Sequence, residues 1–337
     1  MEFAPYGFCH DVLKLLPQIK PEDPISFPNE WGAAARVVSP KFIRLNIKIQ
    51  IHVKLFQQNV KERPWTYEIS NKDDKRISYT WNDVLEMHPD YVFFYDILLT
   101  ELDPEPRREY WQRSGSSDED ENPEPPHCKE EVMTQILPFV CQHADTAEGC
   151  LTMRFPYNYD VSEDIFDIFK QDSRIKFFKF YGVKNSEHLF HHKIDSISPL
   201  KLYLDTDLFH CDTMKKLLEK LLAGQLRYLN AGMTVKEIDL RSVVKIIEFF
   251  KETKGEKKFY FKCRRNFAYK DLEPYVKEFT FKQRRVIKVT SQVRELQELG
   301  KQEHRARREY TLPGTSNTLA IIGYDIGRKK FVAFEVS

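Results

Sequence analysis

Polar and apolar residues alternate most strictly over Arg44–Lys54, where Leu45, Ile47, Ile49, Ile51 and Val53 fall on one side. A period of two is the signature of a half-buried strand. Trp65–Ser70 and Arg76–Trp81 read as two further strands joined by the turn Asn71–Asp74, so a small antiparallel sheet is expected here. Ahead of it, Phe8–Leu16 has the spacing of a short amphipathic helix. Pro17, Pro21, Pro24 and Pro28 break the chain, and Glu30–Val38 forms a second helical run ending before Pro40.

The second half has a different rhythm. Strand-like runs at Ile175–Tyr181, Lys201–Asp205, Val235–Leu240, Lys258–Lys262 and Val286–Val289 start 26, 34, 23 and 28 residues apart. Ser162–Phe169 reads as a helix ahead of the first, and helical runs follow three of the others: Asp212–Leu222 (with Gly224 to end it), Arg241–Lys251 and Asp271–Phe279. Glu130–Ala144 also reads as helical, despite Pro138. This pitch is close to that of strand-plus-helix solenoids, and the alternation predicts a largely parallel sheet. Leu319–Tyr324 and Lys330–Val336 predict a closing edge hairpin. The fold class expected is α/β, an irregular leucine-rich-repeat-like strand–helix array behind a small N-terminal helical and β segment.

Between the halves, Arg113–Pro126 (RSGSSDEDENPEPP) has no apolar residue and cannot repay its ordering entropy. The expected organisation is therefore an N-terminal helical and antiparallel segment over 1–112, an acidic disordered linker over 113–128, and a repeat-like domain over 129–337. Ser116 and Ser117, upstream of Asp118–Glu121, sit in the setting that acid-directed kinases favour.

Composition removes several classes of function. Twelve glycines in 337 residues leave little for phosphate-cradling loops. Fifty-two basic residues nearly balance 51 acidic ones, and six cysteines without a CxxC pair read as reduced thiols. The most apolar window, Tyr91–Leu102, is too short to span a bilayer and carries Asp96. No secretory signal opens the chain, so a cytoplasmic or nuclear protein is expected.

Candidate chemistry is thin. His188 and His192 lie at i, i+4, as in helical zinc sites, but Glu187 precedes the pair and no third ligand has suitable spacing. They read as surface histidines, with no metal and no cofactor. No signature surrounds any cysteine that would make it a nucleophile. Trp31, Trp65, Trp81 and Trp111 read as core aromatics. Lys254–Lys270 interleaves bases with aromatics, and Lys254–Tyr310 holds 17 basic against 8 acidic residues. Lys257, Lys258, Tyr260, Lys262, Arg264 and Arg265 are thus candidates for binding single-stranded nucleic acid.

The opening Met1–Leu13 (MEFAPYGFCHDVL) resembles the start of an expanded nematode family whose members open Met-acid-x-x-Pro-x-x-Phe-Cys-x-x-Val, with Ala4 here where valine is expected. That plan continues with an early tryptophan, a β-rich stretch and irregular strand–helix repeats. Pro5, Val12, Leu13 and Leu16 with Trp31 also resemble a degenerate F-box, although the proline cluster interrupts its helices. The resemblance implies docking on a Skp-type adaptor through Phe8, Val12, Leu13, Leu16 and Trp31, with a C-terminal domain that captures a substrate. The expectation is a non-enzymatic protein-interaction scaffold, a substrate-recognition adaptor of a ubiquitin ligase, the alternative being an RNA-binding module over 254–270.

Overall fold

The computed structural model describes residues 5–14, 29–51, 65–101, 129–161, 163–171, 174–184, 186–196, 200–205, 211–231, 237–289, 303–326 and 329–337. The chain divides into two compact units, Met1–Pro156 with Ser162–Lys176, and Tyr157–Val161 with Phe177–Ser337. Both are mixed α/β. The linker 113–128, with Ser116 and Ser117, lies outside the described residues, as do Leu16, Val53 and Trp111.

The first unit runs α1 (Tyr6–Lys14), α2 (Asn29–Val38), β1 (Ile43–Ile51), β2 (Thr66–Asn71), β3 (Ser78–Tyr79), α3 (Trp81–Glu86), β4 (Val92–Glu101), α4 (Lys129–Glu131), α5 (Leu137–Gln142), β5 (Cys150–Asp160) and α6 (Glu163–Gln171). Its strand order is β5-β4-β1-β2-β3. The antiparallel set β1-β2-β3 forms as the alternation predicts, with Leu45, Ile47, Ile49 and Ile51 buried. Asn71 shapes the turn, its side-chain oxygen accepting from the amides of Asp73 and Asp74 at 2.8 and 3.1 Å.

The sheet is larger than that set, because β4 and β5 add to it in parallel. β4 coincides with the apolar window at Tyr91–Leu102, and its Val92, Phe94, Ile97 and Leu99 are fully buried. Residues 129–156, grouped by sequence with the array, pack in this first unit. Pro138 leaves its mark there. It lacks an N–H, and the turn before it widens to a π-helix over Val132–Ile136, where the Leu137 amide reaches back to the Val132 carbonyl. Of the tryptophans, Trp65 and Trp81 are buried and Trp31 is half-buried.

The second unit runs β6 (Phe177–Lys184), α7 (Ser186–Ser196), β7 (Leu200–Asp205), α8 (Cys211–Leu222), β8 (Leu226–Ala231), β9 (Glu237–Ile238), α9 (Leu240–Glu252), β10 (Tyr260–Arg265), a 3-10 turn at Tyr269–Tyr275, β11 (Thr280–Val289), β12 (Glu303–Thr311), β13 (Thr318–Ile326) and β14 (Lys329–Val336). Its strand order is β6-β7-β8-β10-β14-β13-β12-β11, with the short β9 alongside β10. β6, β7, β8 and β10 are parallel, and β14 to β11 are antiparallel.

The array therefore departs from the expected plan in four places. The third parallel strand is β8, not Val235–Leu240. In that run Asp239 accepts from the Ser242 amide at 2.7 Å and starts α9, so the described part of the run pairs only as the two-residue strand Glu237–Ile238. Val286–Val289 belongs to an antiparallel meander instead of a fifth repeat. The hairpin β13–β14 forms, yet it is interior, with β14 on β10 and β12 beyond β13. Asp271–Phe279 yields a 3-10 turn with Pro274 inside it, not an α-helix. Gly224 ends α8 at φ +80° as expected.

Candidate binding surfaces

The order β6-β7-β8-β10 advances in one direction, and right-handed crossovers then carry α7, α8 and α9 to the same side of the sheet. Alternation does the rest. On the helix side, register aligns Phe178, Leu202, Leu229, Phe261 and Phe334 in one row and Phe180, Leu204, Ala231, Cys263 and Val332 in the next. All ten are fully buried, and each large side chain contributes about 1.5–3 kcal/mol. Burial also pushes the Cys263 thiol well above its ordinary value, so it is a core group and no nucleophile.

The opposite face carries Phe177, Lys201, Tyr228, Tyr260 and Glu335 in one row, and Lys179, Tyr203, Asn230, Lys262 and Ala333 in the next. Tyr181 and Asp205 follow on β6 and β7, and Arg264 on β10. Lys201 is exposed and most of its neighbours are half-buried. The aromatic rings engage one another and the lysines. Tyr228 and Tyr260 stack with centroids 4.7 Å apart, which matches the strand spacing, so their faces point along the row and their edges outward. Tyr181 and Tyr203 lie 5.0 Å apart. The Lys179 and Lys201 ammonium groups are 4.8 and 5.9 Å from the Phe177 ring. Lys262 reaches over Phe331 at 5.9 Å, beside the small, buried Ala333.

This arrangement sorts the basic stretch 254–270 residue by residue. Tyr260, Lys262 and Arg264 lie on the open face, with Arg264 held by Glu237 at 3.2 Å. Lys257 and Lys258 sit at the turn after α9. Lys257 is 5.7 Å over the Phe249 ring, and Lys258 donates to Asn317 at 2.9 Å. Arg265 is no surface group. It is 7% exposed, and its guanidinium donates to the Phe331 carbonyl at 3.1 Å and to the Phe267 carbonyl. Sequence reading missed Phe177, Lys179, Lys201, Tyr203 and Tyr228. For the first four the signal was present in the alternation of FFKFY and KLYLD, but nothing local says that these runs, or LRYLNA with Tyr228, are neighbours of Tyr260.

The second surface is the helix pair α1–α2. Cys9 and Leu13 on α1 are buried against Ala34, Ala35 and Val38, with Trp31, Phe42 and Tyr91 packed around them. Leu13 is thus a core residue. Phe8 is 56% exposed, with its ring edge-on to Trp31 at 6.2 Å, and Tyr6 and Val37 are exposed nearby. Val12 is half-buried. Phe8, Val12 and Trp31 remain accessible, and Leu13 does not.

Other groups are already engaged. A cleft of about 280 Å³ is lined by Met214, Lys215, Glu237, Asp239, Ser242 and Asn266, but Asp239 caps α9 and Glu237 holds Arg264. His188 and His192 are exposed on α7, and among the described residues no three His, Cys, Asp or Glu side chains converge as metal ligands. No helix among the described residues is long and apolar enough to cross a membrane. No protein-family model matches the chain, and neither the curated proteins nor the solved structures contain a match.

Proposed function

We propose that the protein is a non-enzymatic interaction scaffold, a substrate-recognition adaptor of a ubiquitin ligase. The observation that carries the scaffold reading is the second unit's sheet, in which two helix-side rows are apolar and buried while the other face of β6, β7, β8 and β10 presents tyrosines and lysines. A face left half-exposed over four neighbouring strands is a ready binding platform. The adaptor part is supported by the exposed Phe8 beside Trp31 on α1–α2 and by the F-box-like spacing of Pro5, Val12 and Leu13. Capture of the tagged chain should recover a Skp-type adaptor and a cullin, and Phe8→Ala should lose both while the open-face variant Lys201→Glu keeps them. A clean capture without either protein removes the adaptor role.

A second reading, single-stranded RNA binding, is favoured by one observation. Tyr260, Lys262 and Arg264 share their face with Lys179, Lys201, Tyr203 and Tyr228 from three other strands. Binding of a labelled oligonucleotide that weakens steeply with salt is its test.

A further inference from the structure

α7 and α8 are neighbours on the helix side of the second unit's sheet, and two hydrogen bonds tie them together. Thr213 Oγ1 donates to Glu187 Oε1 at 3.0 Å, and Lys220 Nζ donates to Asp195 Oδ1 at 2.6 Å. These tethers lie about two turns apart on each helix. His191 sits midway on α7, one turn from Glu187 and one turn from Asp195, and Lys216 holds the corresponding place on α8. The outer rungs each set an acid against a donor. The middle rung sets a base against a base.

His191 is half-buried and Lys216 is exposed. The charged groups acting on the imidazole are Lys216 from α8 and Glu187, Asp195 and His188 from α7 itself. On β6, against which α7 also packs, the helix-side residues Phe178 and Phe180 are apolar. Lys193, two residues on, is fully buried and lies round the helix from His191. A neutral imidazole fits this place, and a protonated one does not, for two reasons. It would set a second positive charge beside Lys216 in a half-buried seam. It would also be the one-turn neighbour of both Glu187 and Asp195, competing for them with Thr213 and Lys220. Pairing would then shift from between the helices to within α7.

We propose that His191 is a proton-operated latch between α7 and α8, closed while the imidazole is neutral and loosened when it takes up a proton. Histidine is the side chain suited to such a switch near neutral pH. The direction of its titration agrees. Burial first, then Lys216, hold His191 below its ordinary value near 6.5, against the pull of Glu187 and Asp195. The unfolded chain therefore takes up a proton near pH 6.5 that the closed seam still refuses. The seam is fully stable above that pH and weakens as pH falls below it.

The test is hydrogen exchange by mass spectrometry on the full chain at about pH 7.5 and about pH 5.5, corrected for the intrinsic rate, beside an NMR titration of the histidine ring protons. Peptides from α7 and α8 should lose protection at the lower pH by at least about threefold relative to α9. His191→Gln should abolish that difference, while His188→Gln and His192→Gln, both exposed positions, keep it. The His191 resonance, identified by its absence from His191→Gln, should titrate below 6.5, and Lys216→Met should move it upward. Thermal melts at the higher pH check that each variant is folded. A response of α7 and α8 that survives His191→Gln, or no response in the wild type, overturns the latch. So does a His191 resonance that titrates at or above 6.5, or one that Lys216→Met leaves in place.

Discussion

Replacing Arg265 by alanine should be among the most destabilising single changes in the second unit, although the residue sits in a run of exposed bases. Its Nε donates to the Phe331 carbonyl on β14 at 3.1 Å, and its Nη1 donates to the Phe267 carbonyl beyond β10. Hydrogen bonds from a charged donor contribute about 1.5–3 kcal/mol each. Alanine would forfeit both, leave two carbonyls without that donor and open space beside a residue that is 7% exposed. Relief from burying the cation offsets part of this, which leaves a net loss of about 3 kcal/mol. For units of this size that is roughly 6–12 °C in melting temperature. Arg265→Lys keeps the charge but cannot reach two carbonyls at once, and should recover less than half. Thermal melts and urea titrations of the three proteins, with Lys262→Ala as a surface control within about 0.5 kcal/mol, provide the measurement. An Arg265→Ala protein melting within 2 °C of wild type, on the scale of that conversion, would refute the structural role. So would loss of oligonucleotide binding with unchanged stability.

Three other outcomes follow from the packing. Leu13→Ala should cost about 2–3 kcal/mol, at the low end for a buried leucine because its cluster is small and partly collapses. Phe8→Ala, on the same helix but exposed, should cost under about 0.5 kcal/mol, and equal urea midpoints for the two variants would contradict the buried and exposed assignments. Gly255→Ala should lose about 2–4 kcal/mol, since φ is +69° and a Cβ would meet Phe250 at 2.5 Å and Asn317 at 2.7 Å. Gly314→Ala, at φ +78° with nothing within 4 Å, should lose only about 1 kcal/mol, and denaturation of the pair tests the difference. Burial, aided by the Asp145 carboxylate, holds the Tyr95 phenol well above its ordinary value near 10. Above about pH 10 the unfolded chain therefore gives up a proton that the folded one keeps, and stability falls as pH rises. Urea midpoints from pH 9 to 11 should fall more steeply for wild type than for Tyr95→Phe, and matching slopes would count against the buried phenol.

Much of the framework was legible locally. The alternation at Leu45–Ile51, the Asn71 turn, the amphipathic α6, α8 and α9, and Gly224 after α8 are each set by residues close in sequence. Failures occurred where a neighbouring interaction outweighed the local pattern. Asp239 as a cap ended an expected strand and started α9 at Leu240. In LRYLNA, the arginine and asparagine hid β8, which is parallel-paired on both sides. At 254–270 the aromatic and basic residues were visible, but not that Arg265 turns inward while Lys262 stays on the face.

The sequence by itself determined that the second half alternates strands with helices and that its strands have one apolar side, because period and capping are properties of adjacent residues. It could not determine which runs become neighbours, since strand order and register depend on hydrogen bonds between segments distant in the chain. Tertiary structure alone decided that Lys179, Tyr203, Asn230 and Lys262 share a row and that Lys201, Tyr228 and Tyr260 fall in the next. In a sheet, a shift of one residue moves a side chain to the other face, and a shift of two moves it to another row. The charge of a surface row is therefore fixed by register, which no local stretch of sequence encodes.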